Sequence, residues 1–336
     1  MYEYQTFKDV SEKDWNFAVK YLNGNYFYSH EYLEYFNYLN LTRLKNKSFI
    51  IKENGKVLSL TPLIIFDTPF GLEASFAGNP INFSLINQFQ DREKTNELIS
   101  QIFIKLNEIL INLKVKKIFI RSPHYLELND ENFYKKLFFE NNFNLIKNEK
   151  FLSLKSNLEL ILDLKDDIRL RKKHSSYVNY TNEKTKIQKI TKNDFNENLF
   201  EKYSYFHNLH KKNKRSKINF DYNKSLILKG MQNIFLCLLN EEIINSVVIV
   251  NFNNKAHYNS SINKIIDKKI YGNFVLLNEA INFYKLRNFS QFYLGDIIDE
   301  LSLKNNNFSN KELSLSRFKN NWKGSYCYFN NYVKFY

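Results

Sequence analysis

The sequence predicts a mixed α/β protein built from two tandem halves. Three observations carry that expectation: a length of 336 residues, strand-like and helix-like runs that alternate along the chain, and one order of elements that occurs twice. A chain this long suits two domains of roughly 150 residues better than one. Hydrophobic residues at 43% and charged residues at 25% are ordinary for a protein that buries a core.

The elements follow in order. A short strand is expected near Tyr2–Phe7, then a helix over Ser11–Tyr21 capped by Ser11, and another over His30–Leu39 with Ser29 as its cap. Ser48–Lys52 and Lys56–Phe66 are β-rich and are joined by Glu53-Asn54-Gly55, a tight hairpin signal. Thr68–Pro80 gathers Pro69, Gly71, Gly78 and Pro80 and reads as a loop. A long helix over Glu93–Leu113, a buried strand over Lys116–Ile120 and a helix over Glu131–Glu140 complete the first half.

The second half opens with a strand over Leu158–Leu164 and a basic helix over Ile168–Lys184, followed by a helix over Leu199–Lys212. Ile234–Leu239 and Ile243–Phe252 flank Asn240-Glu241-Glu242 as a second hairpin, and Ala256–Ser261 continues the sheet. A helix over Asn273–Leu286, a strand over Gln291–Leu294, a helix over Glu312–Trp322 and a closing strand over Tyr326–Tyr336 end the chain. Each half thus runs helix, hairpin, helix, strand, and the pattern restarts near Lys147–Ser156. The expected domains are 1–150 and 151–336.

A formal net charge of +14 invites a phosphate-bearing partner, nucleic acid or an anionic membrane. The abundance of Lys, Asn, Ile, Phe and Tyr also fits A/T-rich codon usage, which supplies part of that charge. No helix-turn-helix, zinc-finger or RNP signature is present, so sequence-specific DNA binding is not expected. The first residues carry no signal-peptide pattern and no run of 18 apolar residues occurs, so the cytoplasm is the expected location, with peripheral contact at the inner face of the membrane. Cys237 and Cys327 lie in apolar runs and read as buried free thiols.

Several chemistries lack their motifs. There is no Gly-x-Ser-x-Gly elbow, no Walker loop and no Gly-x-Gly-x-x-Gly fingerprint. His207 and His210 share a helix face but have no ligand motif nearby, so packing or surface roles are expected and no metal. A CoA pyrophosphate would want a glycine-rich turn at a helix start. The matching stretch, Lys269-Ile270-Tyr271-Gly272-Asn273-Phe274, keeps one glycine and places Phe274 where a second would stand, so weak CoA binding is expected.

Five segments in order resemble one family. They are Leu170-Arg171-Lys172-Lys173-His174, Tyr205–Arg215, Ala256–Ser261 after the hairpin, Asn273–Tyr284 with Phe292-Tyr293-Leu294-Gly295-Asp296, and Ser316–Gly324. Together they are similar to the motifs of the FemABX aminoacyltransferases, and the resemblance covers roughly 160–330. It implies two tandem GNAT-like domains without the coiled-coil insertion, the second carrying the acyltransferase motifs. It also implies transfer of an aminoacyl group from aminoacyl-tRNA to an amine on a nucleotide- or lipid-linked cell-wall precursor.

By that resemblance Lys319 stabilises the oxyanion and Phe318 shields it; the alternative is a surface lysine on an amphipathic helix. Arg215 and Tyr258 match positions that hold the acceptor, against solvated charge and a core tyrosine as the plain alternatives. Asp296 is either an acceptor of the amine proton or a cap. On the wheel of the Glu312–Trp322 helix, Leu315, Phe318 and Trp322 should face the core, with Lys319 about 100° away at a cleft edge. Some members carry a phosphate-binding lysine in the early helix where this chain has Tyr35-Phe36-Asn37, which puts a nucleotide-diphosphate acceptor in doubt. Two other functions stay open: an N-acyltransferase using CoA or a carrier thioester on an amino sugar, and a non-catalytic tRNA- or membrane-binding module.

Overall fold

The computed structural model describes every residue except 40–42, 88–91, 125–127, 147–155, 167, 169, 171, 212–213, 265–269, 300–302 and 304–306; at 92, 128–130 and 172–174 only the backbone is described. The boundary expected over Lys147–Ser156 falls almost entirely outside the described residues. The chain divides into two compact units. Unit one comprises Met1–Glu159, Asp296–Leu313 and Tyr326–Tyr336; unit two comprises Leu160–Gly295 and Ser314–Ser325.

Unit one begins with β1 (Tyr2–Thr6), α1 (Glu12–Tyr21) and α2 (His30–Tyr35). Both helices start where the sequence places a cap: Ser11 accepts from the Asp14 N–H, and Ser29 from the Tyr32 N–H. Short strands β2 (Lys45–Asn46), β3 (Phe49–Glu53), β4 (Lys56–Thr61), β5 (Ile64–Thr68), β6 (Gly71–Ala74), β7 (Ile81–Asn82) and β8 (Leu85–Ile86) follow. The unit continues with α3 (Arg92–Asn112), β9 (Lys117–Arg121), α4 (Leu128–Glu140) and β10 (Asn144–Leu145).

Three expectations are corrected here. Lys56–Phe66 is not one strand: Pro62 has no N–H to give a ladder, and the chain leaves one sheet at Thr61 to enter another at Ile64. The breaker-rich Thr68–Pro80 stretch contains β6, because its prolines and Gly78 lie outside Gly71–Ala74 and leave those four residues free to pair with β5 and β9. The closing strand is two strands, β17 (Ser325–Tyr328) and β18 (Asn331–Phe335), and β18 pairs with β9 and β10 in unit one.

Unit two contains β11 (Leu158–Asp163, from Leu160 onward), α5 (Lys172–Lys184), β12 (Lys186–Ile190), α6 (Glu197–His210), α7 (Lys217–Leu228), β13 (Gln232–Leu239), β14 (Glu242–Phe252), β15 (Lys255–Asn263), α8 (Gly272–Lys285), β16 (Gln291–Ile297, as far as Gly295) and the end of α9 (Asn310–Lys319). Its sheet runs β12-β13-β14-β15-β16-β11. β12 and α7 were not expected. The signal for α7 was present as Ser216, which caps it by accepting from Asn219, with buried Phe220, Leu226 and Ile227 on one face.

The two hairpins turn identically on different residues. Asn54 and Gly55 have φ of 49° and 75°, and Asn240 and Glu241 have φ of 49° and 63°. Both are two-residue turns of the left-handed kind that suits strand twist. Behind the second hairpin, Ile190, Phe200, Tyr203, Phe220, Ile227, Ile234, Leu236 and Val248 form one buried cluster. That cluster fixes α6 and α7 against β13 and β14, and leaves the far end of β15 and β16 to the site.

Candidate active site

The site begins as a gap in a sheet. β15 and β16 are parallel, and their ladder holds for Lys255–Gln291, Ala256–Phe292 and His257–Tyr293 only. Beyond His257, β15 runs on to Asn263 along β14, and its register against β14 slips between Val248 and Ile249, so that Asn259 is an extra residue. A bulge bends its strand and re-aims the neighbouring side chains. Here it turns β15 away from β16 at Tyr258, which opens a wedge at the carboxyl end of both strands.

Two groups line that wedge from α9. Lys319, the last residue of the helix, is 5% exposed. Its Nζ lies 3.2 Å from where a Cβ would stand on Gly295 of β16. Gly295 has φ of 80°, a region that glycine enters without strain, so this strand end combines an unusual backbone with room for the lysine. Phe318 is half-buried among Phe274 at 4.7 Å, Trp322 at 5.3 Å and Tyr258 at 6.5 Å between ring centroids. Phe274 and Trp322 are themselves stacked, 5.5 Å apart at 20°.

This differs from the expected helix wheel. The buried positions of α9 are Ser316 and Lys319, while Leu315 and Phe318 are only half-buried. The helix stops at Lys319, so Trp322 reaches the core (3% exposed) from beyond it. The Lys319 ammonium is therefore not at a cleft edge but inside, where a charge is strongly felt.

Tyr258 donates to Ser261 at 2.6 Å, and burial pushes its phenol above the ordinary range, so it remains a protonated donor at neutral pH. Arg215 has other company. Its backbone is pinned by Asn208, which accepts from its N–H at 2.8 Å and donates to its C=O at 3.0 Å. The guanidinium lies by buried Tyr203 and His207, and its Nη1 is buried without a hydrogen-bond partner. His207 is held down to about 4, chiefly by burial and then by the Arg215 charge.

Asp296 lies within β16, not past its end, and belongs to unit one. Its two carboxylate oxygens accept from Arg121 Nη1 at 3.0 Å and Nη2 at 2.9 Å, and Arg121 also covers the Phe329 ring at 3.9 Å. Both carboxylate oxygens are engaged by one guanidinium, so an ion-pair role fits this geometry better than a cap or an open acceptor. The structure thus brings Lys319, Phe318 and Tyr258 together, whereas Arg215 lies by Tyr203 and His207 and Asp296 pairs with Arg121.

The start of α8 also differs from expectation. Phe274 does not crowd a phosphate loop, because its ring turns inward onto Phe318 and Trp322. Gly272 instead meets β14: a Cβ there would overlap the Asn245 side-chain amide. Asn245 also donates to Asn263 and to Asn273, and the Tyr271 N–H is taken by Thr181 of α5 at 3.1 Å. The glycine serves helix-on-strand contact. Asn245 is legible as a polar residue inside the apolar run Ile243–Val250, and Gly295 as the glycine between Leu294 and Asp296, but no local pattern assigns either a role.

This architecture has known counterparts. FemX matches with a TM-score of 0.70 at 10% sequence identity, over 99% of this chain and 97% of that one. A tandem GNAT protein from the clavulanic acid biosynthesis pathway matches at 0.57 with 7% identity, over 100% and 98%. The chain has the FemAB-like tandem GNAT fold. L-PGS from Bacillus licheniformis shares this fold at a TM-score of 0.52 and 11% identity, over 90% of this chain and 86% of that one. No family model matches the sequence, and neither does any curated protein. Among the described residues, no helix is long and apolar enough to cross a membrane.

Proposed function

We propose that the protein is an acyltransferase of the GNAT type, moving an aminoacyl group from aminoacyl-tRNA to an amine on a nucleotide- or lipid-linked cell-wall or surface-polysaccharide precursor. The carrying observation is the Lys319 ammonium, buried at the splayed end of β15 and β16 beside Gly295. In this reading the amine nitrogen attacks the ester carbonyl carbon, and the carbonyl electrons move onto oxygen. The tetrahedral adduct then collapses, the bond to the ribose oxygen breaks, and that oxygen leaves with a proton lost by the amine. Lys319 opposes the charge that builds on the carbonyl oxygen, an effect that grows as water is excluded. Phe318, Phe274 and Trp322 supply that exclusion, and the Tyr258 hydroxyl orients the acceptor.

Support for tRNA over CoA comes from the start of α8, where the Tyr271 N–H is already taken by Thr181 and Gly272 packs closely on Asn245. The test is transfer of a radiolabelled amino acid from charged tRNA to an amine-bearing precursor, read as an alkali-stable amide. Label moving to the acceptor supports the reading. Micromolar or tighter acetyl-CoA binding by calorimetry, with acetyl transfer and none from tRNA, would replace it with the thioester reading.

A further inference from the structure

Unit two exposes an apolar patch that its own packing does not explain. Along α6, Tyr203, Phe206 and His207 face the core, while Lys202, Tyr205 and Leu209 fall at i, i+3 and i+7 on the opposite stripe. Tyr205 is 73% exposed and Leu209 61%. Across the turn, α7 opens with Lys217 and with Ile218 at 59% exposure. The two ends are tied together, because Asn208 holds the backbone of Arg215 from both sides. The end of α6 and the approach to α7 are thus held together, and their described residues present aliphatic and aromatic side chains on neighbouring helix ends, which single scattered exposures do not do.

Charge says what would cover it. Between Glu201 and Asp221 the sequence carries six basic residues against two acidic ones, and Lys202, Lys214 and Lys217 are exposed. A second copy of this face would meet like charge. A nucleic acid would use the lysines and the tyrosine ring but gain nothing from leucine and isoleucine. An anionic bilayer uses all of them: aliphatic and aromatic groups enter the headgroup boundary while lysines meet lipid phosphates.

We propose that the α6–α7 corner is a docking surface for an anionic lipid bilayer, with Tyr205, Leu209 and Ile218 inserted and Lys202, Lys214 and Lys217 at the phosphates. The proposal stands apart from the acyl-transfer reading, since it is measured by binding alone. The probe is co-sedimentation with vesicles of mixed phosphatidylglycerol and phosphatidylcholine, against phosphatidylcholine alone. The intact protein should bind the anionic vesicles selectively and lose affinity as salt rises. L209S/I218S should weaken that binding about tenfold or more at every salt concentration. K214E/K217E should weaken it most at low salt, and neither variant should shift the melting temperature appreciably. Equal binding to both vesicle types, or unchanged binding by L209S/I218S, would overturn the proposal. So would displacement of the vesicles by bulk tRNA with equal loss of tRNA binding in both variants, or a change in the free protein's oligomeric state on removing the aliphatic pair.

Discussion

Among the described residues, strands run parallel around β9 in unit one and between β15 and β16 in unit two, and the two places are finished differently. In unit one, β9 is occupied along its length: β6 pairs at Lys117 and Ile118, β7 at Ile120 and Arg121, and β18 takes the other edge from Lys117 to Arg121. The charges there are neutralised by ion pairs, Lys117 with Glu73 at 2.9 Å and Arg121 with Asp296 at 2.9 Å. In unit two the parallel ladder stops at His257–Tyr293, and the strand ends separate around a bulge. A gap in a buried sheet sacrifices backbone pairing, so it persists where something else takes those groups. On the proposed function, the sealed junction of unit one serves as scaffold and the open end of β15 and β16 as the place of transfer.

The largest expected effect is that of Lys319→Met. The methionine stem fills the same volume and removes the ammonium, so folding and acceptor affinity should hold. Turnover should fall on the order of a hundredfold or more, as for loss of a charge aimed at an oxyanion. Wild-type turnover with an identified donor and acceptor would end the assignment of unit two as the place of transfer.

Next in size is Gly295→Ala. The new Cβ would stand 3.2 Å from Nζ of Lys319, on a backbone with φ of 80°. Strain of that kind costs about 1–3 kcal/mol, so melting should drop measurably. The displaced ammonium should also lower turnover about tenfold, with little change in KM. A variant that melts like the parent and turns over normally would show that β16 does not position Lys319.

The sealed junction gives the control. Lys117→Met removes the partner of Glu73, whose carboxylate is buried and also accepts from Ser75 at 2.6 Å. Leaving it without its lysine should cost about 1–3 kcal/mol in chemical denaturation, with turnover unchanged. Loss of turnover at preserved stability would assign chemistry to unit one as well.

The order of elements was legible because periodicity and caps are local: Ser11 and Ser29 sit where the structure uses them, and Asn54-Gly55 marks its turn. What failed was non-local. Arg121 and Asp296 are 175 residues apart, and nothing in either neighbourhood announces the other. Likewise β18 reads as an ordinary terminal strand, although it closes β9 at the far end of the sequence. At the site, the motif around Phe318-Lys319 was readable, but the depth of Lys319 was not. An ideal wheel drawn through Trp322 assumes that the helix continues, whereas it ends at Lys319 and the chain turns the indole inward. Phe274 misled for a similar reason, since a bulky residue beside a glycine has two directions to point and only packing decides between them.

The smallest expected effect separates the units by acid. Unit two buries His207 beside Arg215, and its imidazole is held down to about 4, against about 6.5 in an unfolded chain. Above pH 6.5 the ring is neutral in both states and contributes no pH dependence. Between about 6.5 and 4 the unfolded chain binds a proton that the folded unit refuses, so stability falls with pH; below about 4 both states are protonated and the loss levels off. Relaxation of the site around the charged ring limits the total to about 1–2 kcal/mol. Hydrogen exchange corrected for intrinsic rates should therefore show α6 and α7 losing protection from pH 6.5 to 4.5, ahead of α3 and β9. His207→Gln should flatten that dependence, because the amide does not titrate. If the variant loses protection in α6 and α7 with acid as the parent does, another group governs the acid response and the His207–Arg215 contact is not its source.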